Sequence, residues 1–303
     1  MAHVPTRGSL LRRRRFAPAR CYNVAVMGLK ILGIAAVVLG LALVACAPAS
    51  QRAGDAETTL TVFAAASLAE SFRALAAAYE IAHPDTRVAL NFAGSQTLRT
   101  QLEHGAAADV FASANWEHMA TIKEAGLLGN APEYFAANRL AVITPVDSDA
   151  VQTLTDLARP GVSVAIASAE VPAGAYARDS LDQMSMDEAY PGDFAAAVLS
   201  NVVTNEASVR GVAQKVALGE VDAGIVYETD AAAHQYAGDI RVLEIPLEYN
   251  PAARYPIAAV STSAQLEAAL AFIQFIQDDS GQAILREFGF VPPANVACPC
   301  HAG

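Results

Sequence analysis

Residues 59–64 (TLTVFA) form a short apolar, β-rich run, and the apolar spacing then changes period. Leu68, Phe72, Leu75 and Tyr79 recur at helical intervals. Ser67 and Glu70 stand three apart at the head of that stripe, the pattern of a capping box. The alternation continues along the chain. Strands are expected at 87–92, 109–112, 140–144, 163–167, 223–227 and 242–246. Helices are expected from Gly94-Ser95, where Leu98 and Leu102 stack at i, i+4, and around 173–184, 193–199, 209–218, 263–278 and 282–288. Such alternation predicts an α/β fold of mixed, mostly parallel sheets with helices on both faces. No internal repeat is visible.

Charged and Pro-bearing stretches near 130–139 and 247–256 read as two crossovers between two lobes. The expected organisation is one lobe from 58–138 plus 248–292 and a second from 139–247, with a ligand cleft between them.

Residues 1–45 follow a different logic. They hold seven basic residues (Arg7, Arg12, Arg13, Arg14, Arg15, Arg20, Lys30) and no acid. After Lys30 an unbroken run of small and apolar residues ends in Leu43-Val44-Ala45-Cys46. The run is short for a membrane span and suits a secretory signal. The ending is a lipobox, so residues 1–46 read as a lipoprotein signal peptide with Cys46 the lipidated residue. Met27-Gly28-Leu29-Lys30 opens a complete signal by itself and is a candidate start. Arg14-Arg15-Phe16 is read as upstream basic sequence rather than a twin-arginine signal. Residues 47–57 form a flexible tether. Cys298-Pro299-Cys300-His301 falls in a tail, 293–303, expected to be disordered rather than a metal clip. The predicted mature chain has no other cysteine, so no disulfide framework holds the fold.

Composition sharpens this. The 303 residues are 53% hydrophobic and 17% charged, with a formal net charge of −11. The apolar content excludes a disordered chain. Without residues 1–46, 13 basic residues face 31 acidic ones, a net of −18. That balance excludes general nucleic-acid binding, which needs Lys and Arg to displace counterions.

Candidate chemistry lies in four small-residue turns at strand ends: Ala64-Ala65-Ala66-Ser67, Ala93-Gly94-Ser95-Gln96-Thr97, Val171-Pro172-Ala173-Gly174, and residues 205–210 (NEASVR). Each opens a helix, where unpaired N–H groups and the dipole favour an oxyanion without a cation. Taken alone each is an ordinary helix start. Tyr227, ending the strand AGIVY, adds a phenolic donor. Arg210 is the only basic residue in these turns and is expected to point outward or brace its helix.

Taken together, Val62-Phe63-Ala64-Ala65-Ala66-Ser67-Leu68, Ser95-Gln96-Thr97-Leu98 and residues 108–114 (ADVFASA) resemble the periplasmic molybdate-binding proteins of ABC importers. Residues 171–177 (VPAGAYA), Val209-Arg210-Gly211, Gly224-Ile225-Val226-Tyr227 and Phe288-Gly289-Phe290 continue the resemblance in the same order, over about residues 58–292. It implies a two-lobed, hinged, periplasmic-binding-protein fold of the type II kind. It also implies a tetrahedral oxyanion, molybdate and with it tungstate, held only by neutral donors, with no cofactor and no direct protein–metal bond.

Position by position, it makes Ser67 and Ser95 donors through hydroxyl and backbone N–H. Ala173 and Val209 become donors through backbone N–H, and Tyr227 through its O–H. The implied partners are an ABC permease and its ATPase. The expected protein is a monomer, periplasmic or on the outer face of the cell membrane, lipid-anchored. Gln96 departs from the pattern, where another small residue is common, and is expected to alter the rim. Ser208 departs too, where an acidic or polar residue is common.

Two other readings are separable. Another tetrahedral oxyanion such as sulfate would need a smaller cavity. A serine-dependent hydrolase would need Ser67 or Ser95 beside a base such as His83, His104, His118 or His234. No G-x-S-x-G context surrounds either serine.

Overall fold

The structure, a computed structural model, describes residues 58–293. The signal segment with Cys46, the tether and most of the tail, including Cys298, Cys300 and His301, lie outside the described residues.

The chain folds around two five-stranded sheets. The first has the order β2-β1-β3-β10-β4. It comprises β1 (Thr58–Ala65), β2 (Thr86–Ala93), β3 (Val110–Ala112), β4 (Glu133–Asn138) and, much later, β10 (Ala253–Ala259). Helices α1 (Ala69–Ala82), α2 (Ser95–Glu103), α3 (Trp116–Glu124), α8 (Leu266–Gln277) and α9 (Asp279–Glu287) pack around it. The helical stripe read from the sequence is the buried face of α1: Phe72, Leu75 and Tyr79 are all enclosed. Phe72 meets Phe135 edge-on at 5.8 Å, and Tyr79 meets Phe272 at 5.0 Å. Each such side chain contributes about 1.5–3 kcal/mol through burial.

The second sheet has the order β7-β6-β8-β5-β9. Its strands are β5 (Leu140–Pro145), β6 (Val164–Ala167), β7 (Val202–Glu206), β8 (Ala223–Tyr227) and β9 (Ile240–Glu244). Helices α4 (Pro172–Ser185), α5 (Phe194–Ser200), α6 (Val209–Ala217) and α7 (Glu228–Ala231) accompany it. In each sheet the βαβ units pair parallel, β2-β1-β3 and β7-β6-β8. The strands that carry the chain between sheets, β4, β5 and β10, pair antiparallel, as does β9.

The first passage between sheets is abrupt. β4 ends at Asn138 and β5 starts at Leu140, with Arg139 between. The return runs from β9 through 245–252 into β10. Asn250 ties the two passages together: the Leu140 N–H donates to Asn250 Oδ1 at 2.8 Å, and Asn250 Nδ2 donates to the Leu140 carbonyl at 2.8 Å.

Four elements depart from the sequence expectation. Residues 133–138 and 253–259 read as connectors but are strands. Pro256 argues against a central strand because it lacks an N–H, and the fold accommodates it at a register shift between Tyr255 and Pro256. β7 lies at a sheet edge, and its alternation of half-buried and exposed positions gave too little apolar signal. α3 has no net hydrophobicity to betray it.

The predicted capping box is absent. Ala66–Leu68 forms a 3₁₀ turn before α1, so Ser67 lies inside the helical backbone and caps nothing. Its hydroxyl and the Glu70 carboxylate are both committed elsewhere.

Candidate functional site

Ser67, Ser95, Ala173, Val209 and Tyr227 line one cavity. The first two come from the first sheet's turns and the other three from the second's. All five are buried, none more than 4% exposed. The cavity is small, about 10 Å³, the space of roughly one water-sized sphere. Ala65, Ala66, Gly94, Ala114, Val171 and Pro172 complete its wall, and no lining residue carries a charge.

The fold aims helix N-termini at this point. Ser95 and Val209 are the first residues of α2 and α6, and Ala173 is the second of α4. First-turn N–H groups have no acceptor within their own helix. Pro172 opens α4, and its fixed φ and missing N–H suit that place. Gly174 keeps α4 close to β6. A Cβ there would stand 2.1 Å from the Ser168 carbonyl oxygen and 2.3 Å from that of Ala167.

The side-chain donors are oriented by their neighbours. Ser95 Oγ accepts the Ala114 N–H at 3.0 Å, which leaves the Ser95 proton to donate. Ser67 Oγ lies 3.0 Å from the Tyr255 hydroxyl. Asn138 joins that contact. Its Oδ1 accepts from Arg139 N–H at 2.9 Å, so its Nδ2 is the donor. That nitrogen donates to Thr229 Oγ1 at 2.8 Å and, more weakly, to the Tyr255 oxygen at 3.4 Å. Ser67, Tyr255 and Asn138 thus form one hydrogen-bonded chain beside the cavity, in which either hydroxyl of the Ser67–Tyr255 pair can donate.

The Tyr227 hydroxyl is buried with no hydrogen-bond partner of good geometry among the described residues. Its ring centroid is 5.9 Å from that of Tyr255. Burial, with Tyr255 close by, pushes the Tyr227 phenol well above its ordinary pKa, and burial also raises that of Tyr255. Both stay protonated and remain donors. An unsatisfied buried hydroxyl costs about 1–3 kcal/mol.

The five residues expected at the site share this cavity, while Tyr255 and Asn138 were not among the expected residues. Tyr255 stood in a stretch read as a connector because of Pro256, and Asn138 stood at the end of an unrecognised strand. Of the two alternatives for Arg210, the structure has it bracing rather than pointing outward: its guanidinium is largely buried and lies 2.8 Å, through Nε, from Asp230 Oδ1, with a bidentate bond to Glu70. Burial pushes the Asp230 carboxyl up to about 6, against the opposing pull of Arg210.

His118 is buried, and its Nε2 donates to the Glu170 carbonyl at 2.8 Å. His83 stacks on Tyr79 at 4.1 Å, and the His104 Nδ1 bonds the Thr100 carbonyl at 2.7 Å. The hydrogen bonds of Ser67 and Ser95 therefore run to Tyr255 and Ala114, and none recorded among the described residues joins either serine to a histidine.

This arrangement of two sheets, a double passage and a closed cleft has known counterparts. Residues 60–291 match the family model described as bacterial extracellular solute-binding protein. The molybdate-binding protein ModA of Mycobacterium tuberculosis (strain ATCC 25618 / H37Rv) is 33% identical over 267 residues, covering 86% of this chain and 97% of that protein. Among solved structures, the periplasmic molybdate-binding protein of Azotobacter vinelandii superposes with a TM-score of 0.66 at 20% identity, over 77% of this chain and 99% of that one. The sulfate-binding protein SubI from Mycobacterium tuberculosis H37Rv superposes with a TM-score of 0.68 at 21% identity, over 78% and 88%. At such identities the two structures speak for the fold alone. The matched span and the relative's identity together make the chain a member of the bacterial extracellular solute-binding protein family.

Proposed function

We propose that this protein captures molybdate, and with it tungstate, outside the cytoplasm and delivers it to an ABC permease driven by an ATPase. The observation that carries the reading is the enclosed, uncharged cavity on which five donors converge from both halves of the fold. A buried dianion is costly unless fully hydrogen-bonded. Charge-assisted bonds contribute about 1.5–3 kcal/mol each, so such a ring can hold one without a cation.

The same chemistry selects among anions. Hydrogen phosphate retains a proton that needs an acceptor. No carboxylate lines the cavity, so an all-donor site discriminates against it. Sulfate matches in charge and differs in size. The relative named for molybdate supports the larger anion.

The donors are buried and belong to both halves, so the anion enters only when the halves separate. The two passages near Asn138 and 245–252 are the natural hinge. The role is binding: among the described residues, the hydrogen bonds of Ser67 and Ser95 run to Tyr255 and Ala114. In this reading the protein acts as a monomer without a cofactor, and Cys46 carries the lipid that holds it at the membrane. Lipid labelling lost in Cys46→Ser supports that anchor, and labelling that survives the substitution refutes it.

Isothermal titration with molybdate, tungstate, sulfate and phosphate tests the function. Heat from the first two at micromolar concentrations, without heat from phosphate, supports it. Binding of sulfate alone turns the reading to the smaller oxyanion, and silence with all four defeats it.

A further inference from the structure

Among the polar contacts that join the two halves, three are anchored beside a proposed donor. Arg210, next to Val209 at the start of α6, makes a bidentate bond to Glu70 in the first turn of α1, with Nη1 3.0 Å from Oε1. Gln96, next to Ser95 at the start of α2, donates from Nε2 to the Ala207 carbonyl at 2.9 Å. His118 on α3 donates from Nε2 to the carbonyl of Glu170, which leads into the Val171–Ala173 turn. Each joins an element of the first sheet to one of the second. None of Glu70, Gln96, His118 and Arg210 lines the cavity.

The ion pair is built for this place. Arg210 is held from behind by Asp230, which is fully buried within the short α7. That leaves the far side of the guanidinium to reach across the cleft. Gly94 is part of the same fit, since a Cβ there would stand 2.5 Å from the Ala207 oxygen that Gln96 bonds.

We propose that Arg210, Gln96 and His118 form a three-point clasp that holds the two halves closed over the anion and sets how slowly it leaves. They are positioning residues: each fixes a donor turn without touching the anion. A contact formed only on closure acts on dissociation rather than on encounter. This rests on the binding function proposed above, but the closure itself is testable without an anion.

Glu70→Ala is the cleanest variant. It removes the cross-cleft partner and leaves the Arg210–Asp230 pair within the second half, whereas Arg210→Ala strands a buried carboxylate and can fail to fold. The first measurement is amide exchange on the full chain without anion. The clasp predicts faster exchange in the first turns of α1 and α6 in Glu70→Ala, with β1 and β6 unchanged, and recovery in Glu70→Gln to an intermediate rate.

The second measurement is molybdate release. The clasp predicts release accelerated by about tenfold or more in Glu70→Ala and in Gln96→Ala, with association changed by less than about twofold. Unchanged exchange at the helix starts, or a loss of affinity carried wholly by association, overturns the clasp. If the wild-type protein binds no molybdate, the binding function fails and the exchange result still decides the clasp.

Discussion

The hydroxyls of Ser67 and Tyr255 stand 3.0 Å apart, across 188 positions of sequence. Tyr255 sits in β10, a strand that returns to the first sheet after the chain has built the second. The contact belongs to a hydrogen-bond chain that links Asn138, Tyr255 and Ser67 beside the cavity, where Ser67 is the proposed donor.

Ser67→Ala removes one charge-assisted donor and leaves the backbone N–H. It is expected to weaken molybdate binding by about 1–3 kcal/mol. Tyr255→Phe leaves the Ser67 proton in place but frees it to turn, so a smaller loss of about 0.5–1.5 kcal/mol is expected. Titration of both variants checks the order. A larger loss for Tyr255→Phe would reverse the assigned roles.

Tyr227→Phe separates stability from binding. The hydroxyl is buried and unpartnered without anion, so its removal should leave thermal stability unchanged or raise it by up to about 1–3 kcal/mol. Binding should weaken. A melting curve and a titration on the same variant are enough. A destabilised variant that binds normally would mark Tyr227 as a core residue only.

Gly174→Ala places a methyl group 2.1–2.3 Å from two backbone oxygens of the β6–α4 turn. Backbone cannot yield as a side-chain tip does, so the first turn of α4 must shift. A stability loss of about 1–3 kcal/mol is expected, with weaker binding because the Ala173 N–H moves too. Circular-dichroism melts with titration test this.

Stability should carry the mark of Asp230. Its carboxyl is raised to about 6 by burial, with Arg210 opposing and Glu70 reinforcing the shift, while an unfolded Asp titrates near ~4. Between these values the folded protein binds more protons than the unfolded one. This group therefore favours folding at acid pH, and its contribution falls as pH rises from about 4 through 6. His118 has the opposite sign. Burial lowers its pKa, so acidification below about 6.5 costs stability. Melting temperature across this range in Asp230→Asn should lose the falling component and keep the His118 component. A profile identical to wild type would mean that Asp230 is ionised throughout.

The parts legible in sequence were those carried by local chemistry. Strand-to-helix turns announce themselves by small residues, and local chemistry marked the four turns, within which the family resemblance singled out Ser67, Ser95, Ala173 and Val209. Tyr227 was visible as a polar end to an apolar strand. The parts that stayed hidden depend on distant pairing. Tyr255 and Asn138 gain their meaning only when β10 and β4 lie side by side in one sheet. Pro256 concealed the first strand, and the charged lead-in of β4 concealed the second. Arg210 is an exposed-looking basic residue in sequence; its burial follows from Glu70 and Asp230, one from each half of the fold, closing on it. His118 was hidden for the same reason, since its acceptor lies 52 residues away across the cleft.

The most direct test of the central claim is to locate the anion. Crystals grown with molybdate and measured at a molybdenum absorption edge report the metal's position without interpretation of side chains. The account predicts one strong anomalous peak between Ser67, Ser95, Ala173, Val209 and Tyr227, with hydroxyl and backbone donors around its oxygens and no Lys, Arg or carboxylate in contact. A peak at Arg210 instead, or no peak in the cavity of a crystal that holds the anion elsewhere, would contradict it.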